Sequence, residues 1–145
     1  MNQELPKNWR EIAARVNSEV NALPYKADLP GADEWGDIDA AGGDCDNYAI
    51  GKLNRLVAEG FPIERLRLAT CFVGRQAINY GSGKAAGAAP EAHVVLVVDA
   101  KDDHYALDNL QGEVVPVLAL IGMGYALDCI QKEGGSREWV EWRHS

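Results

Sequence analysis

The sequence predicts an α+β fold in which two N-terminal helices pack on an antiparallel sheet. Apolar residues recur at helical spacing between residues 7 and 59, and Val- and Leu-rich segments typical of strands follow them. Two of these segments are separated by a polar connection of four residues, which suits an antiparallel hairpin. The predicted elements are therefore two helices followed by strands.

The first helix is predicted over residues 7–23, where apolar side chains fall three and four positions apart. Pro24 and Pro30 then indicate an extended stretch, and an acidic loop around Trp35 follows it. The apolar positions of this helix are Trp9, Ile12, Ala13, Val16, Val20 and Leu23.

The second helix is predicted from Cys45 to Glu59. Asp44 is a natural N-cap because its short carboxylate accepts the free amide hydrogens of the first turn. Gly60 suits the position after the last turn, and Pro62 prevents the helix from continuing. The apolar stripe places the cysteine on the buried face, at the start of the helix. This stripe consists of Cys45, Tyr48, Ala49, Leu53, Leu56 and Val57.

Three strands are predicted over Leu66–Val73, His93–Val98 and His104–Leu110. If Val98 pairs with Asp103 across the hairpin, position 93 lies opposite position 108 in the neighbouring strand. Side chains that face each other in this way have Cβ atoms about 4.5–5.5 Å apart. The sequence therefore predicts that a histidine and an aspartate meet across the hairpin.

Two further segments have weaker patterns. Residues 114–130 are expected to add one or two strands, interrupted by Gly122 and Gly124. The Gly- and Ala-rich residues 74–91 predict a mobile loop, and a surface insertion is favoured over a lid beside the site.

The composition is that of a single globular domain. The 145 residues are 47% hydrophobic and 25% charged, and a chain of this length buries a core without disulfides or metals. The formal net charge of -8 argues against nucleic acids and anionic membranes as partners. No apolar run is long enough to span a membrane, so we expect no membrane insertion.

Cys45, His93 and Asp108 are the candidate nucleophile, base and orienting carboxylate of a cysteine hydrolase. A thiol must ionise to act as a nucleophile, and a helix N-terminus and an imidazolium both favour the thiolate. The two glycines before Asp44 support this interpretation, because they let the backbone approach a ligand closely. The alternatives are a small core cysteine, a structural histidine bonded to a backbone carbonyl, and an aspartate that closes a turn.

The carboxylates that flank the cysteine have two interpretations. In the first, Asp44 caps the helix and Asp46 faces solvent. In the second, both contribute oxygen ligands to Ca²⁺, together with Asp37, Asp39 or Asn47. Residue type alone favours the first interpretation.

The remaining cysteines and histidines are assigned no role in the chemistry. Cys71 and Cys129 lie in apolar segments and are expected to be buried free thiols rather than a disulfide. The cysteines show no zinc-ligand spacing. His104, beside the hairpin turn, and His144, at the C-terminus, are expected in solvent.

These residues resemble the bacterial transglutaminase-like cysteine peptidase family over most of the chain. The similarity combines both helices, the cysteine motif, and the strands that carry the histidine and the aspartate. The matching segments are Val16-Asn17, Val20-Asn21, Gly42–Ile50 with Lys52, Gly60-Phe61-Pro62, Leu66-Arg67, Ala92–Val97 and Leu107–Leu110.

The resemblance implies a papain-like, transglutaminase-type core in a single domain over residues 1–145, with a Cys-His-Asp triad. Cys45 is then the nucleophile, His93 the general base and acid, and Asp108 the orienting residue. Such an enzyme cleaves a protein or peptide through a thioester acyl-enzyme. The oxyanion donors that the resemblance implies are the backbone amide of Cys45 and the indole of Trp35.

Members of the family bind calcium through acidic residues beside the cysteine, which match Asp44 and Asp46 here, and no organic cofactor is expected. They are typically periplasmic, and the best understood release large surface adhesins by cutting at a di-alanine site. Because the sequence shows no secretory leader, we expect a cytoplasmic or phage-borne protein, or a periplasmic one whose leader has been removed. Two alternative functions stay open: acyl transfer by a transglutaminase or deamidase, and a catalytically silent module of the same fold that binds a peptide or calcium.

Overall fold

The two predicted helices form at the N-terminal side of the chain. The computed structural model describes residues 4–26, 36–73 and 91–143. Helix α1 runs over Trp9–Asn21 and helix α2 over Cys45–Ala58, so both lie within their predicted ranges. They pack against each other, and α2 also packs on the sheet.

The buried face of α2 differs from the predicted stripe in two polar positions. Tyr48, Ala49 and Leu56 are buried as predicted, but Val57 is 41% exposed. Asp46, which was expected to face solvent, is only 3% exposed, and that expectation is wrong. Lys52 is buried as well. The side chains of Asp46 and Lys52 therefore lie on the side of α2 that packs on the rest of the protein.

The strands form one antiparallel sheet that begins after a short 3₁₀ turn at Ile63–Arg65. In chain order they are β1 (Leu66–Val73), β2 (Glu91–Asp99), β3 (His104–Leu107), β4 (Val115–Pro116), β5 (Tyr125–Gln131) and β6 (Trp139–Glu141). Their order across the sheet is β4-β3-β2-β1-β5-β6. The predicted arrangement of N-terminal helices on an antiparallel sheet is confirmed.

The register of the β2–β3 hairpin differs from the predicted one by two residues. Val98 pairs with Tyr105 rather than with Asp103. The reason is the turn: the N–H of Ala100 donates to the carbonyl of Asp103 at 3.0 Å, so the connection is residues 100–103. A shift of two residues keeps every side chain on its predicted face, because strand side chains alternate with a period of two.

The segment 114–130 is more helical than predicted. Helix α3 (Val117–Gly122) follows the two residues of β4, and Gly124 with a positive φ of 99° turns the chain into β5. The buried residues of α3, Val117 and Leu120, lie three positions apart, which is a helical spacing. Strand β6 was not predicted.

The sheet is covered by a core on each face, because successive side chains of a strand point to opposite sides. In β2, Val94, Leu96 and Val98 pack with α1 and α2, whereas Val95 and Val97 pack with α3 on the other face. None of the helices within the described ranges is long and apolar enough to cross a membrane.

Candidate active site

Cys45 is the first residue of α2, and the loop before it is held by a network of backbone and side-chain bonds. Asp44 is the N-cap, in an extended conformation, and its N–H donates to Asn47 Oδ1 at 3.1 Å. Asn47 Nδ2 in turn donates to the carbonyl of Gly36 at 2.8 Å. This arrangement fixes the position of the cysteine at the end of the helix where the dipole is positive.

The two glycines before Asp44 allow the cysteine loop to lie close to another segment of the backbone. Gly42 has a φ of 102°, and a Cβ there would collide with the carbonyl oxygen of Pro24. Gly43 donates its N–H to that same oxygen at 3.2 Å, and the backbone N–H of Lys26 donates to the carbonyl of Gly43 at 2.7 Å. Glycine is therefore required where the extended segment around Tyr25 runs alongside the cysteine loop.

His93 and Asp108 form a buried pair. His93 lies near the start of β2, and its Nε2 is 2.6 Å from Asp108 Oδ1. Asp108 comes directly after β3 rather than within it, which corrects the predicted strand range His104–Leu110. Their relative exposures are 6% and 1%, so the bond between them is shielded from water.

Asp108 accepts hydrogen bonds on both carboxylate oxygens. Oδ1 also accepts the N–H of Leu110 at 3.1 Å, and Oδ2 accepts the hydroxyl of Tyr125. Burial raises the pKa of Asp108, but the charge of His93 and these hydrogen bonds outweigh burial and hold the pKa below its ordinary value. The carboxylate is therefore ionised and fixed in orientation.

His93 has a pKa raised to about 10. Burial lowers this pKa, but the charge and hydrogen bond of Asp108 raise it, and so does the neighbouring Cys45. Because Nε2 is held by Asp108, Nδ1 is the ring nitrogen that remains for the thiol. The structure thus brings His93 and Asp108 into direct contact, and Cys45 at the start of α2 acts on the pKa of this histidine.

Tyr125 is a member of this site that the sequence analysis did not identify. Its ring is 6.1 Å from that of His93, edge to face, and its hydroxyl accepts a hydrogen bond from Gln111 Nε2 at 3.3 Å while it donates to Asp108. Burial and the Asp108 carboxylate raise the pKa of Tyr125, so the phenol stays protonated as a donor. A tyrosine in an apolar segment needs a partner for its hydroxyl, and that was the available signal.

The other two cysteines, Cys71 and Cys129, are free thiols. Cys71 pairs with His93 across β1 and β2 but is 1% exposed, and burial raises its pKa, so the thiol stays protonated. Cys129, expected to be buried, is partly exposed. His104 is partly exposed, with Nε2 3.3 Å from Asp99 Oδ1.

Some predicted features lie outside the described residues. They are the second oxyanion donor Trp35, nearly all of the predicted loop 74–91, and His144.

Among the acidic residues near the cysteine, Asp46 is the one whose surroundings suit a calcium ion. Its Oδ2 is buried and has no hydrogen-bond partner among the described residues, although a buried carboxylate oxygen normally has one. Asp37 and Asp39 accept hydrogen bonds from Asn54 and from the N–H of Ala41 instead. Within the described part of the chain, no group of three or more His, Cys, Asp and Glu is placed to hold a metal.

The geometry suits nucleophilic catalysis by a thiol. A cysteine at a helix N-terminus acts on the pKa of an imidazole, and a buried carboxylate fixes that imidazole through its Nε2. Such an arrangement ionises the thiol, delivers its proton to a leaving group and reverses the transfer in a second step.

Comparisons with known proteins point to the same chemistry. The family model described as bacterial transglutaminase-like cysteine proteinase matches residues 1–145. No curated protein matches the chain.

Three solved structures of Legionella pneumophila LapG share the fold. One is 24% identical with a TM-score of 0.61, and covers 86% of this chain and 66% of its own. The EGTA-treated form is 22% identical with a TM-score of 0.64, covering 92% and 68%. The calcium-bound form is 22% identical with a TM-score of 0.68, covering 97% and 75%. The chain thus spans about two thirds to three quarters of the length of these proteins.

Proposed function

Because the chain belongs to the bacterial transglutaminase-like cysteine proteinase family, we propose that it hydrolyses peptide bonds through Cys45, His93 and Asp108. The observation that carries this proposal is the buried imidazole of His93, whose Nε2 lies 2.6 Å from Asp108 Oδ1 and whose pKa is raised by both Asp108 and Cys45. The substrate is a protein or a peptide.

The first step forms a thioester. His93 takes the proton of the Cys45 thiol, and the thiolate attacks the carbonyl carbon of the scissile peptide bond. The backbone N–H of Cys45 and the indole of Trp35 are the proposed donors to the oxyanion. As the C–N bond breaks, the imidazolium gives its proton to the departing amine.

The second step releases the acid product. A water molecule gives a proton to His93 while its oxygen attacks the thioester carbon. The C–S bond then breaks, which restores the thiolate and the imidazolium. Throughout both steps Asp108 keeps the imidazole of His93 oriented and stabilises the imidazolium form. The carboxylate of Asp108 can do so because hydrogen bonds from Tyr125 and Leu110 hold it in place.

We expect the protein to cleave a library of peptides derived from a bacterial proteome, and Cys45→Ala to abolish the cleavage. New peptide termini identified by mass spectrometry are the readout. Cys129→Ala removes a partly exposed thiol in β5, which lies opposite Thr70, and should cleave like the wild type. Cleavage that persists in Cys45→Ala would refute the assignment, and a library left intact by the wild type would favour a silent binding module. If an alkylamine is added to the assay and becomes covalently attached to the cleaved peptides, the protein catalyses acyl transfer.

Calcium binding by Asp44 and Asp46 is a second part of this proposal. The buried Oδ2 of Asp46 supports it, since a buried carboxylate without a partner is costly and a cation relieves that cost. The LapG relative has been solved in a calcium-bound form. Bound calcium would supply a positive charge that neutralises these carboxylates and fixes the start of α2.

We expect calcium to raise the melting temperature, by about 5–10 °C when its concentration is about 100 times the dissociation constant. Asp46→Asn removes the charge while keeping the size of the side chain, and should eliminate this increase. Asp102→Asn is the matched control, because Asp102 lies exposed in the β2–β3 turn and forms an ion pair with Arg10. Differential scanning calorimetry in calcium and in EGTA measures the effect. An equal increase in the wild type and Asp46→Asn would exclude Asp46 as a ligand.

A further inference from the structure

Two asparagines of α1, Asn17 and Asn21, contact the turn that follows β3. The mechanism derived above assigns neither of them a part. They lie four residues apart in the helix, so both are on the same side of it. Asn17 is 0% exposed, although asparagine is a weak helix former and is mostly found at the surface. A buried asparagine inside a helix therefore indicates a specific contact.

Both side-chain amides donate to backbone carbonyls of the turn 108–112. Asn21 Nδ2 donates to the carbonyl of Asp108 at 3.0 Å and to that of Gln111 at 3.2 Å. Asn17 Nδ2 donates to the carbonyl of Gln111 at 3.3 Å and to that of Gly112 at 3.5 Å. Because a carbonyl oxygen only accepts, these contacts also settle which atom of each amide is the nitrogen. The turn is thus tied to α1 by side-chain hydrogen bonds.

This turn carries the carboxylate that orients His93. The carbonyl of Asp108 that accepts from Asn21 also accepts the N–H of Gln111 at 3.3 Å, which closes a turn of four residues. The carboxylate of the same residue lies 2.6 Å from His93 Nε2 through its Oδ1. Since the carbonyl and the carboxylate belong to one residue, a bond that fixes the carbonyl also limits where the carboxylate can lie.

Gln111 links the asparagines to the other carboxylate oxygen. Its backbone carbonyl accepts from both of them, and its side-chain Nε2 donates to the hydroxyl of Tyr125 at 3.3 Å. That hydroxyl in turn donates to Asp108 Oδ2. The turn therefore holds Asp108 both through the backbone and through a chain of side-chain hydrogen bonds.

The side-chain oxygens of the two asparagines point to a role other than stability. Each Oδ1 is buried and has no hydrogen-bond partner among the described residues. A buried acceptor without a partner is destabilising, and a leucine of similar size would carry none. What asparagine provides at these two positions is the N–H donors that face the turn.

Resting on the proposed function, we propose that Asn21, supported by Asn17, is a positioning residue that holds the turn 108–112 so that the carboxylate of Asp108 stays on His93. Without these donors the turn is free to shift, and the imidazole is no longer held in one orientation. Because the asparagines act through Asp108 and not on the peptide, their loss lowers kcat and leaves KM nearly unchanged. Asn21 contacts Asp108 itself, so its loss has the larger effect.

The first test is steady-state kinetics of leucine variants, which keep the size of the side chain and remove the donors. In Asn21→Leu we expect kcat to fall by about 10- to 100-fold and KM to stay within about twofold, because a small displacement of a catalytic group is costly. In Asn17→Leu we expect a smaller fall in kcat. Both are measured on the full-length protein with a peptide identified in the library assay.

Gln131→Leu is the matched control. Gln131 is also a buried amide that bonds to the backbone: its Oε1 accepts the N–H of Leu68 at 2.8 Å, and its Nε2 donates to the carbonyl of Ser136 at 3.0 Å. It lies six residues after Tyr125 in β5, which is about 20 Å along the strand. Its replacement should lower the urea midpoint of unfolding and leave kcat unchanged.

The second test does not depend on activity. The proton on His93 Nε2, in the bond to Asp108, is observed by NMR on the ¹⁵N-labelled protein, and its chemical shift depends on the length and alignment of that bond. We expect the resonance to move or broaden in Asn21→Leu and to match the wild type in Gln131→Leu. An asparagine that only stabilised the fold would leave this resonance unchanged in the folded variant.

A lower kcat at constant KM in Asn21→Leu, together with a displaced His93 resonance, supports the positioning role. A wild-type resonance and kcat in Asn21→Leu, or an equal loss of kcat in Gln131→Leu, overturns it and leaves the triad intact. If the wild type cleaves no peptide, the proposed protease function fails. In that case the His93 resonance still decides whether Asn21 positions Asp108.

Discussion

Replacing His93 with alanine is expected to lower kcat/KM for peptide hydrolysis by about 1,000-fold or more. The imidazole acts twice, as the base that ionises Cys45 and as the acid that protonates the leaving amine, and acid–base catalysis alone contributes roughly 10²–10⁴-fold. Steady-state kinetics on a peptide identified in the library assay measure the loss.

His104→Ala is the control for this variant. His104 is partly exposed and contacts Asp99 at the other end of β2, so its replacement should leave kcat/KM unchanged. A His93→Ala enzyme that keeps a tenth or more of the wild-type kcat/KM would contradict the assignment of the base.

Asp108→Asn is expected to lower kcat by about 100- to 10,000-fold with little change in KM. The amide of asparagine keeps the size of the side chain but carries no charge, so it neither stabilises the imidazolium nor enforces the orientation of the ring. Asp102→Asn removes a carboxylate from an exposed ion pair with Arg10 and should leave kcat unchanged. Equal kcat values for Asp108→Asn and the wild type would exclude a role of Asp108 in orienting His93.

The difference in stability between Asp108→Asn and the wild type is expected to change with pH. The pKa of His93 rises from 6.5 to about 10 on folding, so its stabilisation is complete below pH 6.5 and disappears as the pH rises through 10. The pKa of Asp108 falls below 3.8, so its stabilisation is present above that pH and disappears as the pH falls. Asp108→Asn should therefore be less stable than the wild type by about 3–5 kcal/mol near pH 6, and by progressively less towards pH 10. Urea denaturation at several pH values measures this difference.

Local sequence signals were sufficient to locate the proposed nucleophile, Cys45. The start of α2, its cap at Asp44 and the position of Cys45 follow from short-range rules on capping and apolar spacing. Strand β1 occupies its predicted range of Leu66–Val73. These features depend on neighbours in the sequence, which are visible without a structure.

Features that depend on distant residues could not be predicted in this way. The predicted register of the β2–β3 hairpin was wrong by two residues. His93 and Asp108 still meet, because a shift by an even number of residues keeps each side chain on its face of the sheet, and because Asp108 directly follows β3. The contact of Tyr125 with Asp108 arises because β5 brings a distant part of the chain to the site, and periodicity alone gives no signal for it. Asp46 is likewise buried, although aspartate is usually exposed and its residue type predicted contact with solvent.

The most direct test of the triad is the pH dependence of Cys45 alkylation by iodoacetamide in the wild type and in His93→Ala, with Cys129 as an internal reference thiol. We predict that Cys45 of the wild type reacts well below pH 8, where a free thiol with a pKa of about 8.5 is mostly protonated. The same cysteine in His93→Ala should then react only as the pH approaches that of an ordinary thiol. If Cys45 instead reacts like an ordinary thiol in both proteins, the thiolate–imidazolium pair does not exist and the chain is not a cysteine protease of this type.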